Sequence, residues 1–99
     1  MAELSYTKLT DNQIAASLTG LQGWSVQNGA LTKLFALPSY TAGLVFACAI
    51  GHLAEGLNHH PDLLVGYGKV RVVLVTHDAG GGLTEYDFEL ARRIEKLAG

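Results

Sequence analysis

Three of the four histidines sit in one stretch, Glu55 to His77, which reads "EGLNHHPDLLVGYGKVRVVLVTH". His59 and His60 are adjacent and Pro61 follows them. The residue before a proline is pushed out of helical backbone into extended chain, and neighbours in extended chain point to opposite sides. His59 and His60 are therefore expected to face different ways and to divide the work, one reacting and one positioning a substrate. His77 closes an apolar strand whose partner begins just after His60. In an antiparallel hairpin the end of the second strand returns to the level of the start of the first, so the spacing brings His77 back towards the pair. Imidazole gives and takes protons near neutral pH. Two imidazoles on opposite sides of a small molecule can act as acid and base in one elimination.

Two carboxylates are placed to assist. Glu55 ends the helix before the histidine pair, and Asp87 opens the last helix. Either can orient an imidazole or hold its positive charge. Each also has a plainer reading, Glu55 as an exposed helix-end acid and Asp87 as a helix cap. Three histidines and a carboxylate also make a candidate zinc set, and His52-x-x-Glu55 has helical spacing, but the chain reproduces no zinc-site spacing. On the residues alone, acid–base catalysis, a metal site and no special role all stay open.

The elements that must hold these groups are punctuated clearly. "LTDNQI" opens a helix with Thr10 as N-cap, Gln13 completing a capping box, and Leu9 and Ile14 at the staple positions. That helix is expected to run to Thr19 and stop at Gly20. "GWSVQNGALTKLFALP" reads as a hairpin turning at Asn28-Gly29, a pair suited to the positive φ of a type I′ turn. Trp24 and Val26 alternate with polar residues before the turn, and Leu31, Lys33, Phe35 and Leu37 occupy alternate positions after it.

From Ser39, a plausible cap, a helix runs to Gly56 and Asn58. It is apolar round most of its circumference, which predicts a largely buried helix. Gly43 and Gly51 within it allow a close approach by another helix or subunit. A short strand follows Pro61, turns near Gly66 to Gly68, and returns as a longer strand over about Lys69 to Thr76. Valines on both of its faces suggest a second packing surface such as a subunit contact. After the loop "DAGGG", Thr84 caps the last helix with Asp87 three residues on, and Leu83 and Phe88 form its staple. The order α-β-β-α-β-β-α predicts an α+β domain with two layers, an antiparallel sheet and helices packed on one face.

Bulk properties exclude several classes. The 99 residues, 48% hydrophobic and 16% charged, suit one globular domain over 1–99 with its own core. A net charge of -2 and only scattered basic residues give no footprint for nucleic acid. Cys48 stands alone, so it cannot form a disulfide within the chain and is expected as a small buried core residue. The start "MAELSYTKLT" lacks signal-peptide features. The longest apolar run, Ala42 to Ile50, is short for a bilayer. A soluble, cytoplasmic protein without membrane contact is the expectation.

Glu55, three residues, His59-His60-Pro61, five residues, Tyr67, nine residues, His77, nine residues and Asp87 form a pattern that resembles the pterin-4a-carbinolamine dehydratases, also called 4a-hydroxytetrahydrobiopterin dehydratases. Gly23-Trp24, the helix entry "LPSY" and the segment "THDAGGGLTEYD" extend the likeness over nearly the whole chain. The resemblance implies one four-stranded antiparallel sheet with three helices on one side. It implies dehydration of a 4a-hydroxy-tetrahydropterin to the quinonoid dihydropterin, in support of tetrahydropterin recycling, with no metal or organic cofactor. It assigns proton transfer to His59 and His77, without fixing which is acid and which base. It gives pterin binding to His60 with Pro61, electrostatic help to Glu55, a place behind the substrate to Asp87, a place at the pocket border to Trp24, and a structural part to Tyr67. It implies homodimers or homotetramers built through sheet edges and helix faces. Some animal members also serve a homeodomain transcription factor as dimerisation cofactors, a role no residue here carries over. The competing expectations are a non-catalytic adaptor or coactivator of the same fold, which would be marked by a lost histidine, and a metal-dependent enzyme.

Overall fold

The structure is a computed structural model, and it describes residues 4–77 and 81–99. The elements follow the order α1 (Asp11–Leu18), β1 (Ser25–Gln27), β2 (Ala30–Ala36), α2 (Tyr40–Leu57), β3 (Asp62–Gly66), β4 (Lys69–Leu74) and α3 (Glu85–Ala98). The expected α-β-β-α-β-β-α arrangement is therefore present. The four strands form one antiparallel sheet in the order β1-β2-β4-β3. The two hairpins meet where β2 pairs with β4, from Leu31 opposite Leu74 to Ala36 opposite Lys69.

Local signals explain the boundaries. At α1 the Thr10 hydroxyl accepts from the Gln13 N–H and the Gln13 side chain accepts from the Thr10 N–H, so both halves of the capping box form. Asn28 and Gly29 both take positive φ, 53° and 79°, as the tight turn between β1 and β2 requires. The Ser39 hydroxyl accepts from the Ala42 N–H and starts α2.

The alternation of strand residues sorts the sheet into two faces. Leu31, Phe35, Val70, Val72 and Leu74 share the covered face and join Phe46, Ile50 and Ala54 of α2 and Phe88, Leu90, Ala91 and Ile94 of α3 in the core. The opposite face is open, with Leu34 48% and Leu64 56% exposed. β4 ends at Leu74, two residues earlier than expected, because Thr76 leaves the ladder and pairs instead with Gly82. The loop expected at "DAGGG" falls partly outside the described residues, which omit Asp78, Ala79 and Gly80.

Helix α2 corrects the sequence reading. Only Gly43, Phe46, Ile50 and Ala54 are buried, one stripe facing the sheet and α3. Leu44 and Val45 are exposed, and so is Cys48, which was expected in the core. Apolarity all round a helix shows that each side tolerates burial, whereas one layer of sheet covers only one side. By length and composition alone the 18 residues of α2 reach the measure of a membrane-crossing helix, longer than the apolar run from Ala42 to Ile50, but their buried stripe makes this a helix seated on a sheet. Gly43 faces strands rather than another helix: a Cβ there would lie 3.6 Å from the Val70 side chain.

Candidate active site

The C-terminus of α2 aims the histidine pair. Asn58 ends the helix in left-handed backbone, φ 51° and ψ 43°. The His59 N–H then donates to the Ala54 carbonyl at 3.0 Å, closing the helix end. This turn folds His59 back into the protein, where it is buried, while His60 points outward and is exposed. The two residues thus diverge as the proline rule predicts.

His59 meets Asp87. Its Nε2 lies 2.6 Å from Asp87 Oδ1. Asp87 is fully buried, and its other oxygen is also satisfied. Oδ2 accepts from the Thr76 hydroxyl at 2.8 Å and from the Thr84 N–H at 2.9 Å. The Thr76 and Thr84 hydroxyls are 2.9 Å apart and share a hydrogen bond. A buried carboxylate is tolerable only when its lone pairs find donors, and here three donors converge on it. Asp87 is therefore both the capping acid of α3 and the partner of a histidine. With the carboxylate accepting on both oxygens, His59 must carry its hydrogen on Nε2, which assigns the tautomer from the network. Nδ1 is the nitrogen left to act as a base.

His60 is held differently. Its Nε2 lies 3.2 Å from Glu55 Oε2, and both side chains are well exposed. Water screens such a pair, so it orients His60 only loosely. Glu55 thus serves His60, and Asp87 serves His59.

The hairpin returns His77 as expected. His59, His60 and His77 line one cleft of about 230 Å³ together with Asn58, Val75, Thr76 and Tyr6. Of the other sequence-predicted residues, Glu55, Pro61 and Asp87 stand outside that lining, Glu55 and Asp87 acting through the histidines they bond. Trp24 is not among the cleft residues described. It is buried in the core beside Phe35, with 6.0 Å between ring centroids and its Nε1 without a partner among the described residues. It packs there on the covered side of the first hairpin. Tyr67 is almost fully exposed and stacks near Tyr40.

Sequence reasoning missed Thr76, Val75, Asn58 and Tyr6 as cleft residues. Thr76 carried one signal, its position next to His77 at a strand end. Among the described residues no three histidine, cysteine or acidic side chains come together as a metal-holding group. A larger cavity of about 770 Å³ lies away from the histidines, between β2, α2 and the end of α3. Its charged groups, Lys33 and Glu95, neutralise each other at 2.9 Å and leave no group free to move a proton. Size alone therefore does not mark the site, and the smaller cleft is the chemical one.

Comparison with known proteins gives a consistent result. The family model described as "Pterin 4 alpha carbinolamine dehydratase" matches residues 7–97. A protein of Roseiflexus sp. (strain RS-1), provisionally named pterin-4-alpha-carbinolamine dehydratase, is 42% identical over 91 residues, covering 92% of this chain and 97% of the relative. One of Sulfurisphaera tokodaii with the same provisional name is 39% identical over 90 residues, covering 91% and 96%. Among solved structures, a transcriptional coactivator/pterin dehydratase from Brucella melitensis superposes with a TM-score of 0.88 at 32% identity, covering 94% of this chain and 100% of that one. A pterin dehydratase-like protein identified as a RuBisCO assembly factor in the alpha-carboxysome gives a TM-score of 0.65 at 30% identity, covering 79% and 92%.

Proposed function

This chain belongs to the pterin-4a-carbinolamine dehydratase family, and on that premise we propose that it is a hydro-lyase that removes water from a 4a-hydroxy-tetrahydropterin to give the quinonoid dihydropterin. The reaction breaks the C4a–O bond, releases the N5 proton and forms a C4a=N5 double bond. It is redox-neutral, so it requires only that one proton be taken and one be supplied. His59, with Nε2 committed to Asp87 at 2.6 Å, offers Nδ1 for one transfer. His77, across the same cleft, serves the other. His60, tethered to Glu55, holds and orients the pterin. General acid–base groups of this kind contribute about 10²–10⁴-fold to a rate.

The observation that carries this reading is the convergence of all three motif histidines on one cleft, one of them bonded to a buried carboxylate. The test is the dehydration rate of freshly generated 4a-hydroxy-tetrahydropterin with and without chelator-treated protein. Acceleration that disappears in the His59→Ala/His77→Ala double variant supports the reading. A wild type that leaves the rate unchanged overturns it and favours the adaptor role, for which the histidines would be dispensable.

Self-association accompanies this function in our reading, as a dimer or tetramer. The exposed stripe of α2, including Leu44 and Val45, and the open sheet face at Leu34 and Leu64 support it, since apolar surface of this kind gains by leaving water.

A further inference from the structure

Residues 4–9 form no helix or strand, yet they are fastened to the entrance of α3. The Leu9 N–H donates to the Leu83 carbonyl at 2.8 Å, and the Ser5 N–H donates to Glu85 Oε2 at 2.6 Å. Between them the Ser5 hydroxyl donates to Thr7 Oγ1 at 2.8 Å and accepts from the Thr7 N–H at 3.0 Å. Tyr6 is the side chain these ties present. Its ring stacks on Tyr86 with 4.1 Å between centroids and 15° between planes. Tyr86 in turn lies 5.8 Å from the His59 ring. Tyr6 is still 45% exposed, and it lines the histidine cleft.

A lone tyrosine on an irregular segment ordinarily samples several rotamers. Here one face of the ring is occupied by Tyr86 and the backbone on both sides is bonded to Leu83 and Glu85 at the entrance of α3, so the ring is held before any ligand arrives. A rigid, half-exposed aromatic at the mouth of a cleft offers a flat apolar surface at small ordering cost. Apart from Val75 the rest of the cleft is polar, with three imidazoles, a threonine and an asparagine. One aromatic wall beside a polar floor matches a ligand with a flat bicyclic face and a heteroatom-rich edge.

We propose that Tyr6 is a substrate-binding residue, the aromatic wall against which the pterin ring packs while His59, His60 and His77 engage its polar edge. The proposal rests on the dehydratase reading for the identity of the ligand. A wall that touches the ring but not the breaking bond holds ground state and transition state alike, so its loss moves KM and leaves kcat.

The test uses the full chain as wild type, Tyr6→Phe and Tyr6→Leu. Each is titrated by calorimetry with biopterin, a planar oxidised pterin, and assayed for dehydration. Tyr6→Leu, which keeps apolar bulk but not the flat face, is expected to bind biopterin about tenfold more weakly and to raise KM by the same factor. The conservative Tyr6→Phe restores wild-type affinity. Tyr6→Leu binding like wild type, or losing kcat with KM unchanged, overturns the wall. An active wild type indifferent to Tyr6 sinks this proposal alone. Tyr6-dependent binding of biopterin without turnover sinks the dehydratase reading and keeps the wall. A wild type that neither binds nor turns over refutes both.

Discussion

Replacing Asp87 by asparagine is expected to stop catalysis without unfolding the protein, and the reason lies in one backbone hydrogen. The Thr84 N–H points at Asp87 Oδ2 from 2.9 Å and can only donate. In Asp87→Asn the amide oxygen must therefore take the Oδ2 position, where it also keeps the Thr76 hydroxyl. The NH₂ group then occupies the Oδ1 position, facing His59 Nε2 at 2.6 Å in the wild type. Two donors cannot face each other, so His59 must move its hydrogen to Nδ1 and present Nε2 as an acceptor. The nitrogen offered to the substrate becomes a donor where a base is needed. The expected loss is the value of one proton-transfer group, about 10²–10⁴-fold in kcat, or about 3–5 kcal/mol of barrier. Stability falls less, by about 1–2 kcal/mol, because three hydrogen bonds survive as neutral ones. Steady-state dehydration reads the first quantity, thermal unfolding reads the second, and ¹⁵N shifts of the His59 ring report the tautomer. A variant that keeps its hydrogen on Nε2, or turns over within about threefold of wild type, would refute the reasoning.

Three further outcomes follow from the same geometry. Thr76→Val keeps the shape of a buried side chain but leaves Asp87 Oδ2 with one donor and the Thr84 hydroxyl with only the Tyr86 N–H; a loss of about 1–3 kcal/mol is expected in chemical denaturation, and no measurable loss would remove the network from the stability account. His60→Ala is expected to raise KM more than it lowers kcat, since its loose tie to Glu55 suits a positioning group; the reverse split in steady-state kinetics would exchange its role with a neighbour's. On α3, burial pushes the Glu89 carboxyl upward, but hydrogen bonds and charge from Arg93 and Arg92 outweigh it and hold the group below the usual range. Folded Glu89 therefore gives stability above its unfolded titration, and that contribution vanishes as pH falls through the lowered folded value. Glu89→Gln should cost a few tenths of a kcal/mol at neutral pH, and a melting-temperature gap that fails to close in acid would contradict the ion pairs.

Much of this fold is legible because its signals are local. Thr10 with Gln13, Asn28 with Gly29, and Thr84 with Asp87 each fix a boundary within four residues, and each behaves as its chemistry dictates. The divergence of His59 from His60 is equally local, since Pro61 enforces it. The return of His77 needed only the hairpin. What escaped depends on distant partners. The burial of α2 was overread because a sequence shows which residues tolerate a neighbour and not whether one chain supplies it. Trp24 packs in the core against Phe35, and which residues a buried aromatic meets is a tertiary quantity. Thr76 reads as an ordinary strand residue until its bridge to Gly82 turns its hydroxyl on Asp87. Tyr6 belongs to a stretch without periodicity, and the ties of its neighbours to Leu83 and Glu85, with its own stacking on Tyr86, bring it to the cleft.

The shared duty of Asp87 limits how this protein can be improved. An engineer seeking a hardier enzyme would turn early to helix caps, and at the third position of a capping box glutamate is the favoured acid. Here that textual improvement is closed. One extra methylene would drive the carboxylate into a fully enclosed space already filled by His59, Thr76 and Thr84. The same side chain that starts α3 also sets the imidazole, so selection for robustness and selection for turnover act on a single position and cannot be pursued there separately. Thermostable variants of this protein should instead carry their changes at independent sites, such as the exposed positions within α1.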